Sequence, residues 1–242
     1  DDKGKNILFN KTEKDFELLR VSLCDYLSSL SYESINKESA ACMLIESVIN
    51  NYLFKKVYTY NYTDLEKIID ILDVKKTFNN QIEIEYVHGK VNDKSIILGF
   101  EDSAEVKDDY LFMIKSFSRH FRSHNIQYDM ILADEVIFFG HSLGSTDYHY
   151  FEHFFRNQSN EQIKKEDSKI ITIFTYDNKS RLEILTQLRS MNEKKTNLLF
   201  SLNQLNIFCT KDGEGDKERI EEYCKNLKTK GIAAQKEIIS KT

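Results

Sequence analysis

Val136-Ile137-Phe138-Phe139-Gly140-His141-Ser142-Leu143-Gly144 is the stretch from which the rest of the chain is read. Val136 to Phe139 is a short, unbroken apolar run, the pattern of a strand buried on both faces. A polar turn with two glycines leaves its carboxyl end. Tyr148, Phe151, Phe154 and Phe155 then follow at helical spacing, with Gly144-Ser145-Thr146-Asp147 as capping residues before a helix that starts near Tyr148. Strand, turn and helix in that order are the opening of a βαβ unit.

The turn also spells G-x-S-x-G, the nucleophile elbow of serine hydrolases. That chemistry needs an acid and then a histidine later in the chain, and after Ser142 only His149 and His153 remain, both directly behind the turn. An elbow also launches its helix from the serine itself, and here the capping residues intervene. The turn therefore reads as a cradle for a ligand. His149-Tyr150-Phe151-Glu152-His153 matches the inverted zincin pattern H-x-x-E-H, but the same short helix must bury Tyr148, Phe151 and Phe155, so no metal site is expected. His120 and His124 share the i, i+4 spacing and read as a solvated face.

Outward from the turn, the alternation continues in both directions. Val57 to Tyr60 is a β-rich run, followed by Asn61-Tyr62 and by Thr63-Asp64-Leu65-Glu66, a T-x-x-E capping box opening a helix to about Leu72. Ile82 to Val87 alternates as a strand and ends at His88-Gly89, and Ser95 to Gly99 is another short apolar run. Val106, Tyr110, Met113, Phe117 and Phe121 predict one long helix from about Ser103 to His124. Downstream, Lys169 to Tyr176 is a buried strand, Asp177 to Ser180 caps a helix to about Met191, Asn206 to Thr210 is a strand, and a charged helix runs from about Lys217 to Lys230. Ahead of the first strand, Thr12 to Leu30 and Ser39 to Phe54 read as two helices.

This alternation predicts an α/β fold: a mostly parallel, doubly wound, Rossmann-like sheet with an N-terminal helical segment. The expected organisation is a single domain over 1–242, with 1–54 mainly helical and 55–242 forming the sheet core. In such a sheet ligands bind beyond the carboxyl ends of the strands. Asn61, His88-Gly89, Gly140 to Asp147 and Asp177-Asn178 each come directly after a strand, so they converge on one rim. Simpler roles are open to the same residues: Asn61 and Asp64 as turn and cap, His88 as a satisfied histidine, Ser145 to Asp147 as a helix cap.

Composition bounds the function. The 242 residues are 40% hydrophobic, enough for a core, and the net charge of -5 mixes both signs without a basic stripe, which argues against direct nucleic-acid or membrane-surface binding. Cys24, Cys42, Cys209 and Cys224 are widely spaced with no C-x-x-C, as expected of reduced core thiols in a cytoplasmic protein. No run is long and apolar enough to span a bilayer.

Tyr58-Thr59-Tyr60-Asn61-Tyr62-Thr63, then Tyr86-Val87-His88-Gly89 with Ile96-Ile97-Leu98-Gly99, then Phe139-Gly140-His141-Ser142-Leu143 with Asp147 resemble in order and spacing the AbiH-like bacteriophage abortive-infection proteins. These in turn look like distant members of the sirtuin (SIR2-like) group. The resemblance covers about Lys55 to Met191. It implies anti-phage defence through binding, and hydrolysis at the glycosidic bond, of NAD or a related nucleotide. Carried over, Asn61 would position the ribose or the attacking water and His88 would be the general base. Gly89, Gly140, Ser142, Asp147 and Asn178 would line the cofactor. A neutral imidazole accepts a proton near pH 7, and an amide both donates to and accepts from sugar hydroxyls.

The sequence departs from that pattern twice. The family opens with a Gly-rich phosphate loop, and before Asn61 only Gly4 occurs. The aspartate expected two residues after the Asn is Thr63, with Asp64 one place later. The chain begins Asp1-Asp2, so the expectation is either a fragment whose loop lies upstream or a version that does not bind a dinucleotide. The alternative function is a non-catalytic module that senses a nucleotide or phage component and acts through a partner protein. A homo-oligomer is expected in either case.

Overall fold

A computed structural model describes residues 2–49, 51–74, 82–144, 147–213 and 215–241. The chain is α/β with small parallel sheets, as the alternation predicts, and divides into two compact units: Asp1–Asn36 with Lys55–His124, and Lys37–Phe54 with Asn125–Thr242. The two predicted N-terminal helices are α1 (Asp2–Ser28), in the first unit, and α2 (Ala40–Ile49), in the second.

The first unit is built on β1 (Lys56–Thr59), α3 (Leu65–Ile71) and β2 (Glu83–Tyr86). β1 and β2 pair in parallel from Lys56↔Glu83 to Thr59↔Tyr86. A parallel pair needs a crossover, and α3 lies within it. Its cap is Asp64, which accepts from Lys67 N at 3.1 Å, so the helix cap sits one residue later than the Thr63 reading. Tyr86 ties helix to strand, its hydroxyl accepting the Leu65 N–H at 3.0 Å. α1 is anchored by buried Arg20, which grips Glu17 at 2.8 and 2.7 Å and donates to the Lys94 carbonyl. Cys24 packs with Val91 and Ile96 on the same side.

The long helix predicted over 103–124 is not formed. Asp108–Met113 and Lys115–Phe117 are 3-10 turns, and between them Ile114 bridges to Phe100 as in a parallel strand pair. The Phe100 N–H donates to Met113 O at 2.7 Å and the Lys115 N–H to Phe100 O at 2.8 Å. An amide bonded to a distant segment cannot also close a helical turn, so the long-range pairing overrides the periodic pattern. Phe117 and Phe121 are accordingly exposed rather than aligned on a core face.

The second unit carries β3 (Glu135–Phe139), β4 (Ile170–Thr175) and β5 (Gln204–Cys209), all parallel in the order β3-β4-β5. β4 is central, and Ile171 to Thr175 are all buried, which explains its continuous β-branched and aromatic run. α4 (Ile126–Leu132) precedes β3, α5 (Tyr148–Gln158) joins β3 to β4, α6 (Asn178–Met191) and α7 (Thr196–Leu202) join β4 to β5, and α8 (Lys217–Lys241) follows β5. α4 and α7 were not foreseen, and α8 runs further than the predicted Lys230.

Helix α5 buries Phe151, Phe154, Phe155 and Gln158, an i, i+3, i+4, i+7 stripe, and two of those rings contact Phe138 of β3. The alternate residues of the sheet face other helices: Phe174 and Phe208 cluster with Leu44 of α2 and Ile220, Cys224 and Leu227 of α8. Gly231 of α8 is a consequence of that packing, since a Cβ there would stand 2.6 Å from Asn51 Oδ1. Asn51 is itself buried and donates to Leu227 O at 2.8 Å. All four cysteines are free and buried, as core thiols should be. Among the described residues no helix is long and apolar enough to cross a membrane.

Candidate functional site

The carboxyl end of the first unit's sheet gathers the densest chemistry. Asn61 and His88 each lie two residues beyond the last paired rung, Thr59↔Tyr86, so they leave neighbouring strands at the same level. Asn61 is exposed, and Tyr60 beside it meets the His88 ring edge-on at 5.6 Å between centroids.

Gly89 then turns the chain with φ +79°, and a Cβ at that position would lie 2.0 Å from Ser95 O. No other residue satisfies both conditions. The loop folds back through Ile97 N–H to His88 O at 2.8 Å, and Tyr62 donates to Ile97 O at 2.7 Å. Gly99 repeats the device at φ +136°, its missing Cβ leaving room for Met113 O, which would otherwise be at 2.1 Å. This close approach allows the Phe100–Ile114 bridge and delivers Lys115 to His88.

Lys115 Nζ stands 3.4 Å from His88 Nε2 and 2.5 Å from Glu101 Oε1, with the Lys and Glu side chains only 14% and 13% exposed. An ammonium has donors alone, so a hydrogen bond at this contact requires Nε2 to be the acceptor. The two distances also rank the partners. The Glu101 contact is a short charge-assisted bond, whereas 3.4 Å is at the weak end of the range, so the carboxylate holds the ammonium and the imidazole lone pair is only loosely engaged.

A second ionisable group occupies the strands themselves. Glu85 accepts from Lys56 Nζ at 2.9 Å and contacts His124 Nδ1 at 2.5 Å, and Tyr58 meets the His124 ring edge-on. Burial pushes the Glu85 carboxyl up, but the hydrogen bonds from His124 and Lys56 outweigh it and hold the group below its ordinary value. Lys56 and Tyr58 alternate along β1, and Glu83 and Glu85 along β2, so one face of this small sheet is polar.

In the second unit, Gly140 follows β3 with φ +60° and donates to Phe174 O at 3.2 Å, and nothing stands within 4 Å of where its Cβ would be. Leu143, fully buried, pegs the turn to the core and leaves Ser142 exposed. Gly144 lies against the Gln187 amide. Asp147 is inside rather than on the rim, 7% exposed, with Oδ2 3.8 Å from His141 Nε2. Asn178, the first residue of α6, is exposed beyond β4. Before it, Asp177 accepts from the Ser180 N–H and hydroxyl at 2.9 Å each, and these bonds keep its carboxyl below the usual range. Ser145 and Thr146 lie outside the described residues. His149 and His153 are exposed on α5, and no group of His, Cys, Asp and Glu among the described residues is arranged to hold a metal ion.

The predicted residues thus form two sets. Asn61, His88 and Gly89 are in the first unit, and Gly140, Ser142, Asp147 and Asn178 are in the second. Lys115, Glu101 and Tyr60 were missed. The long-helix reading hid the first, though Gly99 at the end of an apolar run was a signal that the chain turns there.

A family model described as bacteriophage abortive infection AbiH matches residues 2–169, which is more than half of the chain and includes every residue of the two sets except Asn178. No curated protein and no solved structure matches the chain.

Proposed function

This chain belongs to the AbiH family of bacteriophage abortive infection, and we propose that it acts by cleaving NAD or a related nucleotide at the glycosidic bond. The observation that carries the reading is His88: an imidazole at a strand's carboxyl end, level with Asn61, with Nε2 facing the Lys115–Glu101 pair.

In this reading Asn61 hydrogen-bonds the ribose or the attacking water. Water adds its oxygen to the anomeric carbon, the carbon–nitrogen bond breaks, and its electron pair neutralises the departing pyridinium as nicotinamide. The proton lost by water passes to His88. Lys115 can release Nε2 for this step because Glu101 retains the ammonium. Taken by itself, the second unit offers Gly140, Ser142 and Asn178 as contacts for a nucleotide, while buried Asp147 would act only through the turn beside it. Gly140 has the open backbone surface such a contact needs, and Ser142 and Asn178 offer exposed hydroxyl and amide groups.

The test is nicotinamide release by the purified chain. Replacing a positioned general base lowers turnover by roughly 10²-fold or more, so His88→Ala should lose that much and Asn61→Ala should fall with it. Equal turnover in wild type and His88→Ala would remove the base from the reading. Binding of NAD by calorimetry with no release would assign the chain to nucleotide sensing instead.

A further inference from the structure

The second unit has a sheet edge with one flank unpaired among the described residues, and of the residues assigned above only Asn178 borders it. β5 pairs with β4 on one flank, and no described strand occupies the other. The ladder gives the direction of its amides. Gln204 and Thr210 donate toward the β4 side, to Lys169 O and Thr175 O at 2.9 Å each. In a parallel ladder alternate residues address opposite flanks, so Leu205, Ile207 and Cys209 turn N–H and C=O outward. Cys209 verifies this, because its N–H donates to Asp216 Oδ2 at 2.8 Å. Asp216 closes one end of the edge. The main-chain groups of Leu205 and Ile207 have no such partner among the described residues.

A cleft of about 270 Å³ follows that edge, lined by Leu205, Asn206 and Ile207 together with Asn178 and Arg181 of α6, Phe200 of α7, and Asp216 and Arg219 at the start of α8; Ile207 is 8% exposed. Phe200 is 46% exposed. Arg219 pairs with Asp216 and lies 4.9 Å over the Phe208 ring, on the face opposite Ile207. Arg181 is exposed, and its guanidinium makes no ion pair among the described residues. The cleft therefore combines unpaired strand backbone, one apolar ring and a surplus of positive charge.

We propose that it receives an extended acidic segment of a partner protein, which adds a strand to β5 through Leu205 and Ile207 and sets a carboxylate against Arg181. Arg181, exposed and in no ion pair among the described residues, is the feature that selects an acidic occupant.

The probe is a short labelled peptide of alternating valine and glutamate, titrated into the whole chain and followed by fluorescence anisotropy. Saturable binding is expected. N-methylation of the peptide's alternate amides, which removes main-chain pairing but keeps the charge, should weaken it by about tenfold or more. Arg181→Glu, an exposed change whose unaltered urea midpoint would show an intact fold, should do the same, and the lysine counterpart of the peptide should not bind. The proposal is overturned by equal binding of the N-methylated peptide, by no saturable binding up to about 1 mM, or by a sedimentation dimer that Arg181→Glu abolishes.

Discussion

The two sheets of this protein are alike in strand direction and opposite in what they bury. On β1 and β2, Lys56, Glu83 and Glu85 stand among the strand residues, and the rim beyond them adds His88, Lys115 and Glu101. β4, by contrast, buries an unbroken Ile-Thr-Ile-Phe-Thr, roofed by Phe151, Phe154 and Phe155 of α5 and by the Leu44, Phe208 and Leu227 cluster. Apolar burial is non-directional and stabilises whatever the pH, whereas each half-buried charge holds only while its partner is in place. The second unit is thus built for stability, and the first carries groups whose protonation and pairing can change. Chemistry is expected where the sheet tolerates that cost.

The largest effect should come from the apolar side. Phe155 is fully buried between Phe138 and Phe154, so Phe155→Ala should cost about 3–5 kcal/mol. Urea denaturation would measure it, and a loss of under about 1 kcal/mol would break the contrast between the units.

Glu101→Gln probes the opposite case. It leaves the Lys115 ammonium beside His88 without its carboxylate, and at 13–14% exposure the loss should be about 1–3 kcal/mol. Adding Lys115→Met to that variant should recover part of it. No recovery would mean that Glu101 stabilises through something other than the pair.

Gly231→Ala sharpens the comparison within the second unit. An ordinary helix gains stability from this change, by about 1 kcal/mol. Here the new methyl meets Asn51, whose Oδ1 also accepts the Leu53 N–H at 3.0 Å, so a loss of about 1–2 kcal/mol is expected instead. A raised melting temperature would show that Asn51 can move aside.

The smallest effect is set by pH. The Glu85 carboxyl titrates below its ordinary value in the folded chain, so its contribution is present above the unfolded value and is lost as pH falls through the folded one. The stability gap between wild type and Glu85→Gln should be about 1 kcal/mol near neutrality and should begin to close once pH falls below the ordinary glutamate value of about 4.3. A gap independent of pH would mean that Glu85 acts through packing.

Much of the architecture was legible in the residues. Strand runs at 57–60, 82–87, 136–139 and 169–176, the α5 stripe and the Asp177 cap are each written in residue patterns a few positions long, and the structure places them where the pattern does. The candidate site was legible only in outline. Its glycines and histidine follow strands, and both Gly89 and Gly140 adopt the positive φ that strand-end turns use. Asp147 reads as a rim residue and is buried, because the turn it closes is pegged inward by Leu143. The aromatic spacing of 106–121 mimics a helix face while its backbone pairs elsewhere.

What the sequence determined by itself is everything decided by neighbours in the chain: period, caps, turn glycines, and the order of motifs that marks the AbiH family. Tertiary structure alone decided which distant residues complete a site. Lys115 comes to His88 because Gly99 lets Met113 O approach and Ile114 bridges to Phe100, and Cys209 is closed by Asp216 while the β5 flank beside Leu205 carries no other strand among the described residues. Such pairings depend on loop closure and packing between segments far apart in sequence, and no local pattern encodes a partner that local forces never touch.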